Sequence, residues 1–99
     1  MTATSPGAAE LEDFDLVFSA LAHPARRTIL TVLHTHGGEM TSRAIAAWFD
    51  HSWPTTSQHL RVLHEAGLVT IDLRGREHVY RLRTERLLTV TRTWLSYFG

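Results

Sequence analysis

The side chains from Thr55 to Glu65 are the ones best suited to chemistry at a surface. Placed on a helix at about 100° per residue, Leu60 and Leu63 share one side, with Thr56 and His64 near them. Thr55, Gln58, Arg61, Val62 and Glu65 then share the other side, and His59 lies on the flank. Short hydrogen-bonding groups beside an amide suit the edges of nucleic-acid bases, because an amide can pair with adenine through N6 and N7. Gln58 is the first candidate base reader. His59 and Thr55 come second, as hydrogen-bonders to base edges or phosphate. Ser57, Thr56 and Arg61 fit contacts to the phosphate backbone, which fix register without reading sequence. Solvated polarity accounts for any one of these residues alone; the set in this order points to a reading face.

Such a face needs a helix and a frame to present it. Ser52 is a cap candidate followed by Trp53-Pro54, with proline in a first turn where its missing N–H costs nothing. The helix then runs to about Ala66 and closes at Gly67. A short third helix precedes it, capped by Thr41, with Ala44, Ile45, Ala47, Trp48 and Phe49 as its apolar content. Asp50, His51 and Ser52 alone separate the two, a spacing that predicts a helix-turn-helix. Upstream, Leu11, Phe14, Val17, Phe18 and Leu21 recur at helical spacing from Glu10, and His23-Pro24 ends that run. A second helix opens at Pro24 and reaches about His36, where Gly37-Gly38 stops it. After Gly67 the pattern becomes strand-like through Leu68, Val69, Ile71 and Leu73, turns at Arg74-Gly75-Arg76, and returns through Val79, Tyr80 and Leu82. A last helix begins near Thr84. The expectation is a mainly α fold with a small β-hairpin, a winged helix-turn-helix in the order α-α-α-α-β-β-α. Residues 1–9 are expected as a disordered arm and residues 10–99 as the DNA-binding and dimerisation domain. Arg74 and Arg76 on the hairpin fit phosphate or the minor groove, and Ser42 and Arg43 at the start of the third helix fit phosphate.

Composition bounds what else the chain can be. The 99 residues have room for one core, and without cysteine there is no disulfide, thiol switch or thiolate metal site. MTATSPGAAE lacks the basic region and apolar run of a secretory signal, and no apolar stretch approaches the ~20 residues that cross a bilayer. A soluble, cytoplasmic protein without a membrane partner is expected. The formal net charge of zero hides a segregation: residues 1–20 hold four acids and no base, while all ten Arg follow against six acids. Between Ser52 and Arg83, Arg61, Arg74, Arg76, Arg81 and Arg83 face only Glu65, Asp72 and Glu77. So modest an excess predicts weak non-specific affinity for DNA and greater reliance on base contacts and on dimerisation.

ALAHPARRTILTVL, TSRAIAAWFDHSWPTTSQHLRVLHEAGLV and RGREHVYRL resemble the ArsR-type (ArsR/SmtB-like) winged-helix transcriptional repressors, over roughly residues 14–83. The string from Ser57 to Val69 carries most of the likeness; MarR- and PadR-like regulators are the other winged-helix classes to weigh. The resemblance implies a homodimer that binds a pseudopalindromic operator and pairs through its first and last helices. The residues agree. Leu87, Leu88, Thr91, Trp94, Leu95 and Phe98 form a broad stripe on the last helix, and Leu11, Phe14 and Phe18 add to it from the first.

Metal sensing, frequent in that family, finds little here. Glu85 to Phe98 holds neither Asp nor His, and no two histidines within a helix are three or four apart. No metal or cofactor is expected, and the effector is unknown. Ser57 with His59, or Asp50 with His51, can be written as catalytic pairs, but neighbours in sequence are not a catalytic geometry. With no phosphate loop and no nucleophile elbow, no enzyme is expected. Two alternatives stay open at this level: a winged helix used for protein–protein contact, and a metal-responsive repressor whose His site assembles across the dimer.

Overall fold

In the computed structural model, which describes residues 5–50 and 52–99, five helices enclose a core closed by a three-stranded sheet. Helix α1 (Ala8–Leu21) buries Phe14, Val17 and Ala20 at three-residue spacing and ends just before Pro24. Helix α2 (Pro24–Thr35) starts on proline, and the His23 ring caps it, Nδ1 accepting the Ala25 N–H at 3.1 Å. It buries Ile29, Leu30, Val32 and Leu33. Strand β1 (Glu39–Thr41) leads into α3 (Ser42–Ala47), where Thr41 Oγ1 accepts the Ala44 N–H at 3.1 Å. Helix α4 (Trp53–Glu65) is capped by Ser52 and lays Thr56, Leu60 and Leu63 on the core.

Gly67 lets the chain leave α4 at φ +76°, so that the Leu68 N–H closes onto Leu63 O at 3.0 Å. Strands β2 (Val69–Arg74) and β3 (Glu77–Leu82) then form the wing. Their register runs from Val69 opposite Leu82 to Arg74 opposite Glu77. Only Gly75 and Arg76 remain to turn the chain, and Gly75 takes the positive φ of 65° that a tight hairpin turn demands at its first central position. Helix α5 (Thr84–Ser96) returns across α1, tied to it by Arg86 to Asp13 (3.1 Å) and by Tyr97 Oη donating to Glu10 (2.9 Å). That bond, and next to it burial, raise the Tyr97 phenol above its ordinary range.

The structure corrects the sequence-based expectations at several points. Ala8 and Ala9, expected in the arm, open α1; residues 1–4 of that arm and His51 lie outside the described residues. Helix α3 stops at Ala47, so the turn to α4 spans residues 48–52 rather than three residues. The hairpin gains a third strand, since β1 pairs antiparallel with β3 and the sheet order is β1-β3-β2. Three residues with one buried side chain, Met40, are too few to show alternation in a sequence. His64, placed near the core side of its helix, is exposed, and Val62, placed on the outer side, is half-buried against the core.

Thr56 needs the firmest correction. It is 1% exposed, and its hydroxyl has no hydrogen-bond partner among the described residues, so it is a core residue that reaches no phosphate. Thr56→Val keeps the shape and removes the orphan polar group. Urea unfolding is expected to show a gain of about 1 kcal/mol, with DNA affinity unchanged. A loss of DNA affinity at unchanged stability would return the hydroxyl to the interface.

Candidate nucleic-acid interface

The outward face of α4 presents Thr55, Gln58 and Arg61 exposed and Ser57 half-exposed. All four stand on a helix whose opposite side is fixed by Leu60 and Leu63, each at most 1% exposed. Rigid backing of this kind gives short side chains a defined reach. Thr55 has a second engagement, its hydroxyl lying 3.1 Å from the Ser52 cap hydroxyl. Gln58 and Arg61 have no hydrogen-bond or ion-pair partner among the described residues, which leaves their donors and acceptors to solvent or ligand. Ser42 is half-exposed and Arg43 exposed at the start of α3, and together with Ala46 and Trp53 they line a shallow groove of about 190 Å³. Sequence reasoning counted Trp53 only as part of a helix start. Its position at the first turn of α4, 42% exposed, puts an indole beside the candidate phosphate contacts.

His59 is placed differently. It is half-buried on the flank of α4, its ring centroid 4.4 Å from that of His23 and its Nδ1 3.4 Å from Arg26. The side chain is turned to the α1–α2 corner.

The wing separates its two arginines. Arg74 donates to both carboxylate oxygens of Glu39, at 3.2 and 3.1 Å, and approaches Asp72 at 3.8 Å; Arg81 joins the same two acids at 3.5 and 3.7 Å. The Arg74 hydrogen bond, and with it the charges of Arg74 and Arg81, holds the Glu39 carboxyl below its ordinary range, while the same bond raises Arg74. This cluster on the sheet therefore balances two bases against two acids. Arg76, at the turn, is exposed and has no ion-pair partner among the described residues. No sequence rule pairs Glu39 with Arg74 across 35 positions; the pairing follows from β1 joining the sheet.

The stripe on α1 and α5 also divides. Phe14 is 6% exposed inside its own core, so it is corrected from interface to core residue. Phe18, Leu87 and Thr91 are half-buried: Phe18 stands edge-on to Trp94 at 5.0 Å, and Thr91 Oγ1 donates to Leu87 O at 2.7 Å. Leu11, Leu88, Trp94, Leu95 and Phe98 remain exposed, and Trp94 also meets Phe98 at 4.9 Å.

Comparison with known proteins follows this geometry. A family model described as a helix-turn-helix domain matches residues 21–72, the stretch from the end of α1 into the wing. The transcriptional repressor SdpR of Bacillus subtilis is 37% identical over 83% of this chain and 88% of its own length. The chain belongs to the ArsR/SmtB-like family of winged-helix transcriptional repressors. Two solved structures support the assignment of fold. An ArsR-like transcriptional regulator from Rhodococcus sp. RHA1 is 30% identical with a TM-score of 0.76, over 87% of this chain and 79% of that one. A homodimeric winged helix-turn-helix DNA-binding domain from Mycobacterium bovis, a possible ArsR-family regulator, is 28% identical with a TM-score of 0.75, over 97% and 89%. These relatives are regulators of transcription, not enzymes. Within this ArsR/SmtB-like chain, no three His, Asp or Glu side chains among the described residues are placed to hold a metal ion, and no described helix is long and apolar enough to cross a membrane.

Proposed function

We propose that this ArsR/SmtB-like chain is a cytoplasmic, homodimeric repressor that reads a pseudopalindromic operator through α4 and carries no bound metal. The row of exposed Thr55, Gln58 and Arg61 with half-exposed Ser57, on a helix locked to the core, is the observation that carries the reading. Gln58 reads bases. Ser42, Arg43, Ser57 and Arg61 hold phosphates, and Thr55 serves either. The wing contributes Arg76 at the backbone or minor groove. Dimerisation through α1 and α5 is supported by their exposed apolar side chains and by the homodimeric state of the M. bovis relative.

The direct test is fluorescence anisotropy on duplexes enriched from a random pool, repeated over a range of salt. Specific affinity that falls steeply with salt supports DNA binding through phosphate neutralisation; absence of any enriched duplex overturns it. The wing gives a sharper prediction. Arg76→Ala is expected to weaken specific and non-specific binding together and to reduce the salt slope by about one. Arg74→Ala is expected to change the slope less, because Glu39 and Asp72 already balance that charge. Equal effects of the two substitutions would count against an engaged Arg74.

A further inference from the structure

We propose that Arg26 is a positioning residue for the recognition helix and that it acts through His59; the proposal rests on the DNA-binding reading above. Arg26 stands in the first turn of α2 and uses its guanidinium in three directions. Nε donates to Ala20 O at 2.7 Å and Nη2 to Ser19 O at 3.1 Å, which satisfies carbonyls at the C-terminal end of α1. Nη1 points across to α4 and lies 3.4 Å from His59 Nδ1. A guanidinium has no acceptor, so this contact needs the lone pair on Nδ1 and hence the neutral ring. The His23 ring packs on the same imidazole, and its own Nδ1 accepts the Ala25 N–H that opens α2.

Thr56, Leu60 and Leu63 bury one side of α4 against the core, and the flank of the helix has a separate, polar tie. His59, on the flank and next in sequence to Gln58, is gripped at the α1–α2 corner by Arg26 and His23. The grip sets the rotation at which Gln58 meets the groove. It also joins α4 to α1, the helix assigned above to the dimer surface, so one contact relates the pose of the reading face to the pose of its partner half-site. Arg26 touches no base in this scheme; His59 is spent on the fold and not on phosphate.

Two features separate this role from a direct contact. A residue that only orients α4 neutralises no phosphate, so its loss lowers specific affinity and leaves the salt slope unchanged. Protonation of the His59 ring removes the acceptor and places a cation beside Arg26. Acid therefore loosens the grip, whereas a protonated His59 that met phosphate directly would strengthen binding.

The experiment measures affinity for an enriched duplex and for a scrambled one, at about pH 7.5 and about pH 5.5, which bracket ordinary histidine titration. Wild type, Arg26→Met, His59→Ala and His59→Asn are compared, with circular dichroism confirming that each is folded. His59→Ala and Arg26→Met are expected to lose roughly tenfold in the specific-to-scrambled ratio, part of the discrimination of one base pair, at unchanged salt slope. His59→Asn, whose Oδ1 can take the place of Nδ1, is expected to recover most of it. The ratio in wild type falls in acid, and it falls less in His59→Asn. A reduced salt slope in His59→Ala, an Asn variant as poor as Ala, unchanged ratios in both Arg26→Met and His59→Ala, or a wild-type ratio that rises in acid each overturn the proposal while DNA binding stands. Wild-type protein with no preference for any duplex overturns both.

Discussion

A Leu95→Asp variant is expected to sediment as a monomer at micromolar concentration, to keep its helical content, and to lose about 10²–10⁴-fold in operator affinity. Leu95 is 58% exposed in the isolated chain and Phe98 72%, so neither contributes much to the monomer core. Leu88 and Leu95, seven residues apart on α5, align along one line of that helix, and Phe98 is exposed just past its C-terminal end. A carboxylate in the middle of this surface must be desolvated when two copies meet, at a cost that the exposed Arg92, three residues away, offsets only in part. The α1–α5 pair that carries the stripe is tied internally by Arg86 with Asp13 and by Tyr97 with Glu10, away from Leu95. The substitution therefore strikes association and spares the fold. DNA affinity follows because a dimer binds its second half-site intramolecularly, with two recognition helices about 34 Å apart, and a monomer does not. Thr89→Asp, exposed on α5 but about 100° round the helix from Leu88, is the control and is expected to remain dimeric. If Leu95→Asp stays a dimer in the ultracentrifuge, the interface lies elsewhere.

The elements that were legible in the sequence are those with a local chemical cause. Pro24 and Pro54 open helices, Ser52 and Thr41 cap them, and Gly67 and Gly75 turn the chain where a side chain would be strained. Each acts within a few residues of its effect. What was not legible depends on distant partners. Strand β1 exists because β3, about 40 residues later, offers an edge that Met40 helps to cover. Glu39 then meets Arg74 and Arg81, which removes one expected DNA contact from the free cations of the wing. The helical wheel put Thr56 beside Leu60 and Leu63, and the core placement was already implied there. Its assignment to phosphate came from residue type alone, and burial overrules type. Phe14 fails as an interface residue for a related reason: a period-3.6 stripe marks apolar residues without saying whether the chain or a second copy covers them. His59 shows the converse, since a polar residue on the flank of a reading helix found its partners inside the same chain.

Gln58→Ala is expected to cost about 1–3 kcal/mol per half-site in specific affinity while leaving non-specific affinity and the salt slope in place. The side chain is neutral and exposed, so removing it breaks no core contact and releases no counterion. What disappears is a donor and an acceptor held at fixed distance, the pair that matches N6 and N7 of adenine. In the proposed homodimer the residue occurs twice, so the two losses are expected to add at a symmetric operator, with relaxed preference at one position in each half-site. Selection of bound duplexes by wild type and variant, read by sequencing, displays that position directly. Equal losses on specific and scrambled DNA would make Gln58 a backbone contact. The chain's charge is the reason the proposal lets so small an amide carry so much. Its ten Arg are matched by ten acids overall, and the wing holds Arg74 and Arg81 against Glu39 and Asp72. Few cations remain to attract phosphate: Arg43, Arg61 and Arg76 are those on the proposed face without an ion-pair partner among the described residues. With the sequence-independent part of binding kept small, discrimination between sites falls to the base contacts and to the symmetry that doubles them.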